Sequence, residues 1–186
     1  LTDHHVSGQL KVAPEHVSDK VLSAMGKPSF DVFKRFKQSY ENANKNAGKD
    51  QYMVQYFMSS HPGSDLDAAI ELAVAMHEMK ISPEQVQDFY PTPGVLSTCM
   101  YYTGLDPRNM QPIHVPKGEE KVMQRALLQY KSPKNHAKVR KALLLRNRYD
   151  LIGSGKNCLV PEERPQQTIT RIPKKPKRTS GKRKRR

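Results

Sequence analysis

The feature that most constrains the fold is a strand that runs through a sharp turn into a helix. Residues 51–60 are rich in aromatic and apolar side chains, which favours a buried strand. Pro62 and Gly63 then break the strand within the sequence His-Pro-Gly. Apolar side chains recur at helical spacing from Leu66 onward, and Ser64 or Asp65 is suited to cap that helix. In α/β proteins ligands bind at the carboxyl ends of such strands, so this turn marks a candidate site.

Strands and helices alternate through the first half of the sequence. Strands are predicted at residues 9–13, 52–58 and 85–90, and helices at residues 19–25, 29–46 and 65–79. Pro14 is expected to end the first strand, and Gly48 is expected to end the second helix. Strands separated by helices of this length are typical of βαβ units on a parallel sheet. The sequence therefore predicts an α/β fold.

The pattern changes after the Pro-Thr-Pro-Gly segment that ends at Gly94. Residues 95–103 are ambiguous, residues 105–118 are typical of a loop, helices are predicted at residues 119–129 and 133–146, and residues 157–160 suit a short final strand. Pro133 is well placed at the first position of the second helix. We therefore predict an α/β region over residues 1–96, a mainly helical region with a helical hairpin over residues 97–165, and a tail over residues 166–186.

The net charge of +14 is concentrated at the end of the chain. The segment that begins at Arg171 and ends at Arg186 contains ten Lys or Arg residues and no acidic residue, which leaves a net charge of +4 for the other 170 residues. Such a segment cannot bury apolar surface, and we expect it to be disordered. Two interpretations remain open, a contact with RNA, the ribosome or another polyanion, and a solvated extension with no partner.

The predicted helical hairpin is also basic. Its charge comes from Lys134, Lys138, Arg140, Lys141, Arg146 and Arg148. Basic residues are common on a solvated helix face, and the hairpin has no signature of a known nucleic-acid-binding motif. The charge alone therefore does not assign this hairpin to nucleic-acid binding.

The cysteines limit the possible metal sites and the cellular compartment. Cys99 and Cys158 form neither a disulfide framework nor a zinc-binding spacing, which favours a reducing cytoplasm. No signal peptide is visible, and no apolar run approaches the roughly 20 residues of a membrane span. The sequence lacks an initiating methionine and starts close to a strand, so we interpret it as a piece of a longer protein, with a processed N-terminus as the alternative.

Several residues near the predicted strand ends could carry chemistry. Glu15 follows the first strand, where a carboxylate can accept hydrogen bonds from a ribose or an amine, although a surface glutamate is the more common situation. His61 could act as a base or position the turn. Ser59 and Ser60 have no evident His and Asp partners for hydrolysis. Gly63 would let the backbone approach a ligand closely.

Taken together, these segments resemble the later strands of radical S-adenosylmethionine (SAM) enzymes. The segments are Ala13-Pro-Glu-His16 followed by Val21-Leu-Ser-Ala-Met25-Gly-Lys-Pro28, Tyr56-Phe-Met-Ser-Ser-His-Pro-Gly-Ser64, and Asp88-Phe-Tyr-Pro-Thr-Pro-Gly94. The similarity is closer to the YgiQ-type radical SAM family. It extends over Lys11-Val-Ala-Pro-Glu-His16, Met100-Tyr-Tyr-Thr-Gly104, Val115-Pro-Lys-Gly118 and Leu151-Ile-Gly-Ser154, and covers about residues 1–161.

The resemblance implies a fold and two cofactors. The family fold is a partial (β/α)6 barrel, and this chain would hold its last three strands. A [4Fe-4S] cluster would be bound by three cysteines in a C-x3-C-x2-C loop that is absent here and would lie upstream. We therefore expect the intact protein to use SAM and the cluster, and this chain alone to bind neither.

The resemblance also assigns roles to individual residues. Glu15 would face the ribose or methionine part of SAM, and Lys27 would pair with the methionine carboxylate where relatives have Arg. Met58, Ser59 and Tyr90 would contact the adenine from the strand ends. Ser64 replaces a glutamate that relatives carry after Pro-Gly, so no role transfers there.

Two function classes follow from the sequence. The first is part of a radical SAM enzyme that acts on an unknown substrate. The alternative is an RNA- or ribosome-associated binding module that acts through the basic tail. A membrane is not an expected partner in either case.

We predict that residues 171–186 are separable from the folded part, because like charges repel one another and Ile172 is the one sizeable apolar side chain among them. Amide hydrogens in this segment should exchange at close to the rate of an unstructured peptide when no polyanion is present. Slow exchange measured by mass spectrometry would contradict this expectation.

Overall fold

The computed structural model describes residues 1–83 and 86–163. In chain order the elements are β1 (Gln9–Glu15), α1 (Asp19–Met25), α2 (Phe30–Ala47), β2 (Tyr52–Ser59), α3 (Leu66–Glu78), β3 (Gln87–Asp88), α4 (Leu96–Thr103), β4 (Leu105–Asp106), β5 (Gln111–Pro112), α5 (Gly118–Leu128) and α6 (His136–Leu145). Short 3-10 helices cover Pro133–Asn135 and Tyr149–Leu151. The predicted tail lies outside the described residues.

Strands β1, β2 and β3 form a parallel sheet in that order. The register places Lys11 opposite Val54 and Ser59 opposite Asp88. Parallel neighbours joined through helices confirm the predicted α/β fold. In the described part of the chain the three strands do not close into a barrel.

Strand β1 continues past the point where the sequence predicted its end. Pro14 lies inside the strand rather than terminating it, and β1 ends at Glu15. The register with β2 shifts between Val12 and Glu15. Proline lacks a backbone donor and is tolerated at such an irregularity, which explains why it does not break this strand.

Strand β3 is shorter than the predicted residues 85–90, since only Gln87–Asp88 is paired as strand. One more backbone bond, from the Phe89 amide to the Ser59 carbonyl at 2.8 Å, follows the pair. Pro91 has no amide hydrogen to donate and restricts the residue before it, so the pairing does not extend further.

The helices of the first half cover one face of the sheet. Leu22, Phe30, Leu72 and Met76 pack with Phe57 of β2 in one buried cluster. The opposite face carries Lys11, Ala13, Tyr52 and Tyr56, and all four are exposed. Because side chains alternate along a strand, this one-sided cover explains why exposed and more buried positions alternate along β1.

Helix α3 is buried on two sides. Leu72 and Met76 face the cluster on the sheet, whereas Leu66, Ala69, Ile70 and Ala73 pack against α5 and α6. Residues on the α5 and α6 side of this second cluster include Leu127, Val139, Leu143, Leu151 and Val160. The second cluster therefore contains residues from both sides of the predicted boundary at residues 96–97.

The second half is more ordered than the sequence indicated. The ambiguous residues 95–103 form α4, and the predicted loop contains the antiparallel pair β4–β5. Helices α5 and α6 pack as the predicted hairpin, with a 3-10 turn at Pro133–Asn135 before α6. The predicted final strand is reduced to one parallel bridge between Ile152 and Val160.

The start of α3 shows how the sequence directs the turn. The Asp65 carboxylate accepts a hydrogen bond of 2.9 Å from the Ala68 amide, and Lys20 forms an ion pair with the same carboxylate at 2.8 Å. Asp65, rather than Ser64, is therefore the cap, as one of the two predicted alternatives. Gly48 ends α2 at a φ of +62°, which confirms that prediction.

None of the helices in residues 1–83 and 86–163 is both long enough and apolar enough to cross a membrane.

We predict that Leu127→Ala lowers the free energy of unfolding by about 2–5 kcal/mol, because the side chain is fully buried between α3, α5 and α6. The matched control is Leu145→Ala on α6, where the leucine is 56% exposed and the expected change is below about 1 kcal/mol. Denaturant titration measures both. Equal effects of the two substitutions would contradict the shared core.

Candidate functional site

The carboxyl ends of the three parallel strands lie along one edge of the sheet. Glu15 ends β1, Ser59 ends β2, and Asp88 ends β3. Two residues at this edge, Glu15 and Ser60, have positive φ values of 66° and 63°. Residues other than glycine adopt this conformation at an energetic cost. Lys80, Met110 and Asn147, which lie away from this edge, share it.

Glu15 and Lys27 are brought together at the end of β1. The Lys27 Nζ lies 3.6 Å from Glu15 Oε1 and donates a 2.7 Å hydrogen bond to the Ala13 carbonyl. Their side chains are 27% and 33% exposed, respectively. Two opposite charges are thus held side by side within reach of solvent, as expected for residues that meet a zwitterionic ligand.

Ser59 and Met58 lie beside β3, but their side chains differ in whether they are free to contact a ligand. Ser59 is buried, and its hydroxyl donates a short hydrogen bond to the Asp88 carboxylate. Arg125 of α5 donates to the other oxygen of that carboxylate at 2.7 Å. Met58 is half-buried and pairs with Gln87. The hydroxyl of Ser59 is therefore already used within the protein.

Tyr90 lies two residues beyond the end of β3 and is 76% exposed. The five residues that the sequence placed near SAM thus fall into three groups, a charge pair at β1, two neighbours on β2, and an aromatic ring in solvent beyond β3.

His61 of the His-Pro-Gly turn links two elements. Its Nδ1 donates to the Pro62 carbonyl at 2.7 Å, so Nε2 is free to accept a 2.7 Å hydrogen bond from the Ser97 hydroxyl of α4. The ring also meets Phe89 edge-on, with centroids 5.0 Å apart. Burial lowers the pKa of His61. Both nitrogens are occupied in the neutral form, so this histidine positions the turn.

His16 is buried behind the end of β1. Its Nδ1 accepts a 3.0 Å hydrogen bond from the Ser18 amide. Burial is the main cause that lowers the pKa of His16 to about 4, with repulsion from His61 acting in the same direction and the Asp65 carboxylate opposing both. His16 is therefore neutral at physiological pH.

Gly63 is needed for packing within the protein. Its φ is +92°, and a Cβ placed there would lie 3.1 Å from Ala24 Cβ and 3.4 Å from Ile113 Cδ1. Its amide also donates to the His114 carbonyl at 2.6 Å. The space that the sequence suggested for a ligand beside Gly63 is filled by these side chains.

Gln124 of α5 is a site residue that the sequence reasoning missed. Only 1% exposed, it accepts hydrogen bonds of 3.1 Å from both the Ser60 amide and the Ser64 hydroxyl. Its own amide donates to the Ser64 carbonyl at 2.9 Å. A sequence feature could have identified this residue. Gln124 lies on the apolar face of the helix one turn before Leu127, where a polar side chain needs hydrogen-bond partners.

The described part of the chain contains no group of three or more His, Cys, Asp or Glu side chains that could hold a metal ion. Cys99 is exposed and Cys158 is half-buried, and both are free thiols. Two separate thiols do not fit a [4Fe-4S] cluster, which needs several thiolates around one site.

Comparison with known proteins places the chain among proteins of uncharacterised function. Residues 84–186, more than half of the chain, match the family described as "Domain of unknown function (DUF3362)". No solved structure matches the chain.

Three of the similar proteins span bacteria and an archaeon. The chain is 57% identical over 162 residues to a UPF0313 protein of Clostridium botulinum, 53% identical over 164 residues to one of Clostridium perfringens, and 56% identical over 162 residues to one of Methanocella arvoryzae. These matches cover 87%, 88% and 87% of this chain but 25%, 25% and 27% of the relatives. The chain thus spans about a quarter of their length.

We predict that His16 makes stability fall with acidification. Its pKa is about 4 in the folded chain against an ordinary value of 6.5, so between these values the unfolded chain binds a proton that the folded chain refuses. Above pH 6.5 this difference in proton binding does not lower the free energy of unfolding. As the pH falls toward the folded-state pKa of about 4, the free energy of unfolding decreases by about 3 kcal/mol. In His16→Asn, whose side-chain oxygen can replace Nδ1 as acceptor, the decline should be smaller by that amount.

The control is His5→Asn at an exposed position, which should keep the original pH dependence. Urea titrations at several pH values between 4 and 7.5 measure the slopes. Identical slopes in both variants would show that His16 titrates normally.

Proposed function

Because this chain belongs to the UPF0313 family and to the DUF3362 domain family, we propose that it is part of a radical SAM enzyme that acts on an unknown substrate. The observation that carries the proposal is the carboxyl edge of a one-sided parallel sheet, where Glu15 and Lys27 lie accessible beside each other. The activity belongs to the whole protein, since this chain spans about a quarter of its relatives.

The sheet supports the proposal through its uncovered face and edge. In a (β/α) barrel the helices lie outside, the inner strand faces line the interior, and active sites form at the carboxyl ends of the strands. Here α1, α2 and α3 cover one face, and Lys11, Ala13 and Tyr56 are exposed on the other. In the described part of the chain β1 pairs with β2 on one side, and no strand pairs with its other edge. Further strands beside β1 would satisfy that edge and extend the sheet toward a barrel.

The charge pair fits the amino-acid part of SAM. The Glu15 carboxylate can accept hydrogen bonds from an ammonium or a ribose hydroxyl, and Lys27 can pair with a carboxylate. Lys27 offers one point charge in place of a bidentate guanidinium, so it fixes distance more than orientation. Tyr90, exposed beyond β3, leaves its ring free to stack on an adenine.

Other residues at the strand ends stabilise this edge of the sheet. The Ser59 hydroxyl is held by Asp88, so Ser59 stabilises the edge and Met58 presents its side chain next to β3. Gln124 fixes Ser60 and Ser64 from the opposite side. The edge is thus braced by hydrogen bonds before any ligand arrives.

The cluster has no place on the described residues, so its ligands must come from other parts of the whole protein. When bound together, SAM and a reduced [4Fe-4S] cluster supply a 5′-deoxyadenosyl radical that abstracts hydrogen from the substrate. Free thiols at Cys99 and Cys158 suit a reducing compartment, and we propose the cytoplasm as the setting.

We predict that this chain alone neither assembles a cluster nor cleaves SAM, whereas the whole protein does both. After anaerobic reconstitution with iron and sulfide, the whole protein should show cluster absorbance and release 5′-deoxyadenosine under strong reductant. In that protein Glu15→Ala should weaken SAM binding by about 10- to 100-fold, because a charge-assisted hydrogen bond contributes about 1.5–3 kcal/mol.

The matched control is Glu41→Ala on α2, which removes an exposed carboxylate that pairs with Lys37. It should leave SAM affinity unchanged. Absence of a cluster in the whole protein would refute the radical SAM assignment, and equal affinities of the two variants would refute the role of Glu15 alone.

A further inference from the structure

A concave surface of about 490 Å³ lies between β3, α5 and the start of α6. Four basic side chains line it, Lys121 and Arg125 from α5, and Lys134 and Lys138 from the 3-10 turn and α6. We call this surface the basic concavity. It lies outside the Glu15–Lys27 pair, and the function proposed above does not use it.

The positive charge of the basic concavity is largely uncompensated. Arg125 forms an ion pair with Asp88 at 2.7 Å. Lys121, Lys134 and Lys138 form no ion pair with any residue in the described ranges. Three positive charges therefore line one concavity without an acidic partner among residues 1–83 and 86–163.

Some of the other basic residues of the same hairpin are paired. Lys141 pairs with Glu119, Arg146 pairs with Asp67, and Arg148 pairs with Asp150. Arg140 donates to the Pro161 carbonyl and lines a different concavity. The basic concavity is thus distinguished by three lysines that line one surface and have no acidic partner in the described ranges.

The basic side chains of the concavity come from two elements. Lys121 and Arg125 form one row on α5, where like charges four residues apart are unfavourable. Lys134 and Lys138 form a second row, on the 3-10 turn and the start of α6, and both rows line the same concavity. An anion bound among these side chains would turn their mutual repulsion into attraction.

We propose that the basic concavity binds the phosphate backbone of single-stranded RNA. Lysines act as flexible point charges, and here they are spread over two rows on an open surface, which suits a chain of phosphates better than one tightly held phosphate. The phosphate contacts would be sequence-independent.

The path of the chain also favours a long polyanion. Glu163, the last described residue, lines one concavity of α6 together with Arg140 and Lys141, and α6 also carries Lys138. The sequence that follows includes the ten basic residues between Arg171 and Arg186. A polyanion held by the basic concavity and by these charges at once would gain from the raised effective concentration of the second contact.

The test compares two triple variants of the complete 186-residue chain. The first is Lys121→Gln, Lys134→Gln and Lys138→Gln. The matched control is Lys45→Gln, Lys80→Gln and Lys156→Gln. These three lysines are exposed and do not line the basic concavity, and their substitution removes the same net charge. The probe is a fluorescent oligouridylate of about 20 nucleotides, longer than the sites of most single-strand-binding folds. Binding is followed by anisotropy over a range of salt concentrations.

We expect the first variant to bind RNA about 100-fold more weakly at roughly 0.1 M salt, and its plot of log K against log salt to be shallower by about 2, because each lost phosphate contact removes about 0.7 from the slope. The control should stay close to the unsubstituted chain. Equal losses in the two variants would overturn the proposal, since binding would then follow net charge alone.

A second measurement does not depend on the variants folding normally. Bound RNA should protect Lys121, Lys134 and Lys138 of the unsubstituted chain from acetylation, as read by mass spectrometry. Unchanged modification at these lysines would overturn the proposal. Saturable binding of pyrophosphate, or of phosphatidylserine vesicles, together with no binding of RNA would also overturn it and would identify a small anion or a membrane surface instead.

Discussion

The two-sided burial of α3 is the packing interaction on which the rest of the structure depends. One side of the helix, with Leu72 and Met76, covers the parallel sheet, and the other, with Ile70 and Ala73, receives α5 and α6. Small side chains such as Ala69 and Ala73 let the neighbouring helices approach closely. Because the same helix joins both clusters, the carboxyl edge of the sheet and the basic hairpin are held in a fixed position relative to each other.

This packing determines which polar groups at the sheet edge remain free to contact a ligand. Ser59, His61 and Gln124 are buried and already bonded within the protein. Glu15 and Lys27 lie at the end of β1 with side chains 27% and 33% exposed, so their charges stay within reach of solvent. The buried groups therefore stiffen the edge, and the partly exposed Glu15–Lys27 pair is the part of it that we propose to contact a ligand.

Much of the local structure could be predicted from the sequence, and the errors have clear physical causes. The cap at Asp65 and the end of α2 at Gly48 follow from chemistry within a few residues, and both predictions are confirmed. Pro14 was expected to end β1, but the register shift against β2 tolerates it. Gly63 was interpreted as room for a ligand, whereas Ala24 and Ile113 fill that space. Both errors concern neighbours that are distant in the sequence.

The sequence by itself determined the order of strands and helices in the first half of the chain, the sharp His-Pro-Gly turn, and the placement of Glu15 near the carboxyl end of β1. These features depend on hydrophobic periodicity and on turn and cap residues, which act locally. Only the tertiary structure decided that Ser59 bonds to Asp88, that Gln124 reaches Ser60, and that Lys121, Lys134 and Lys138 line one concavity. Those outcomes depend on how α5 and α6 pack on α3, because contacts between residues far apart in the chain exist only after the core has formed.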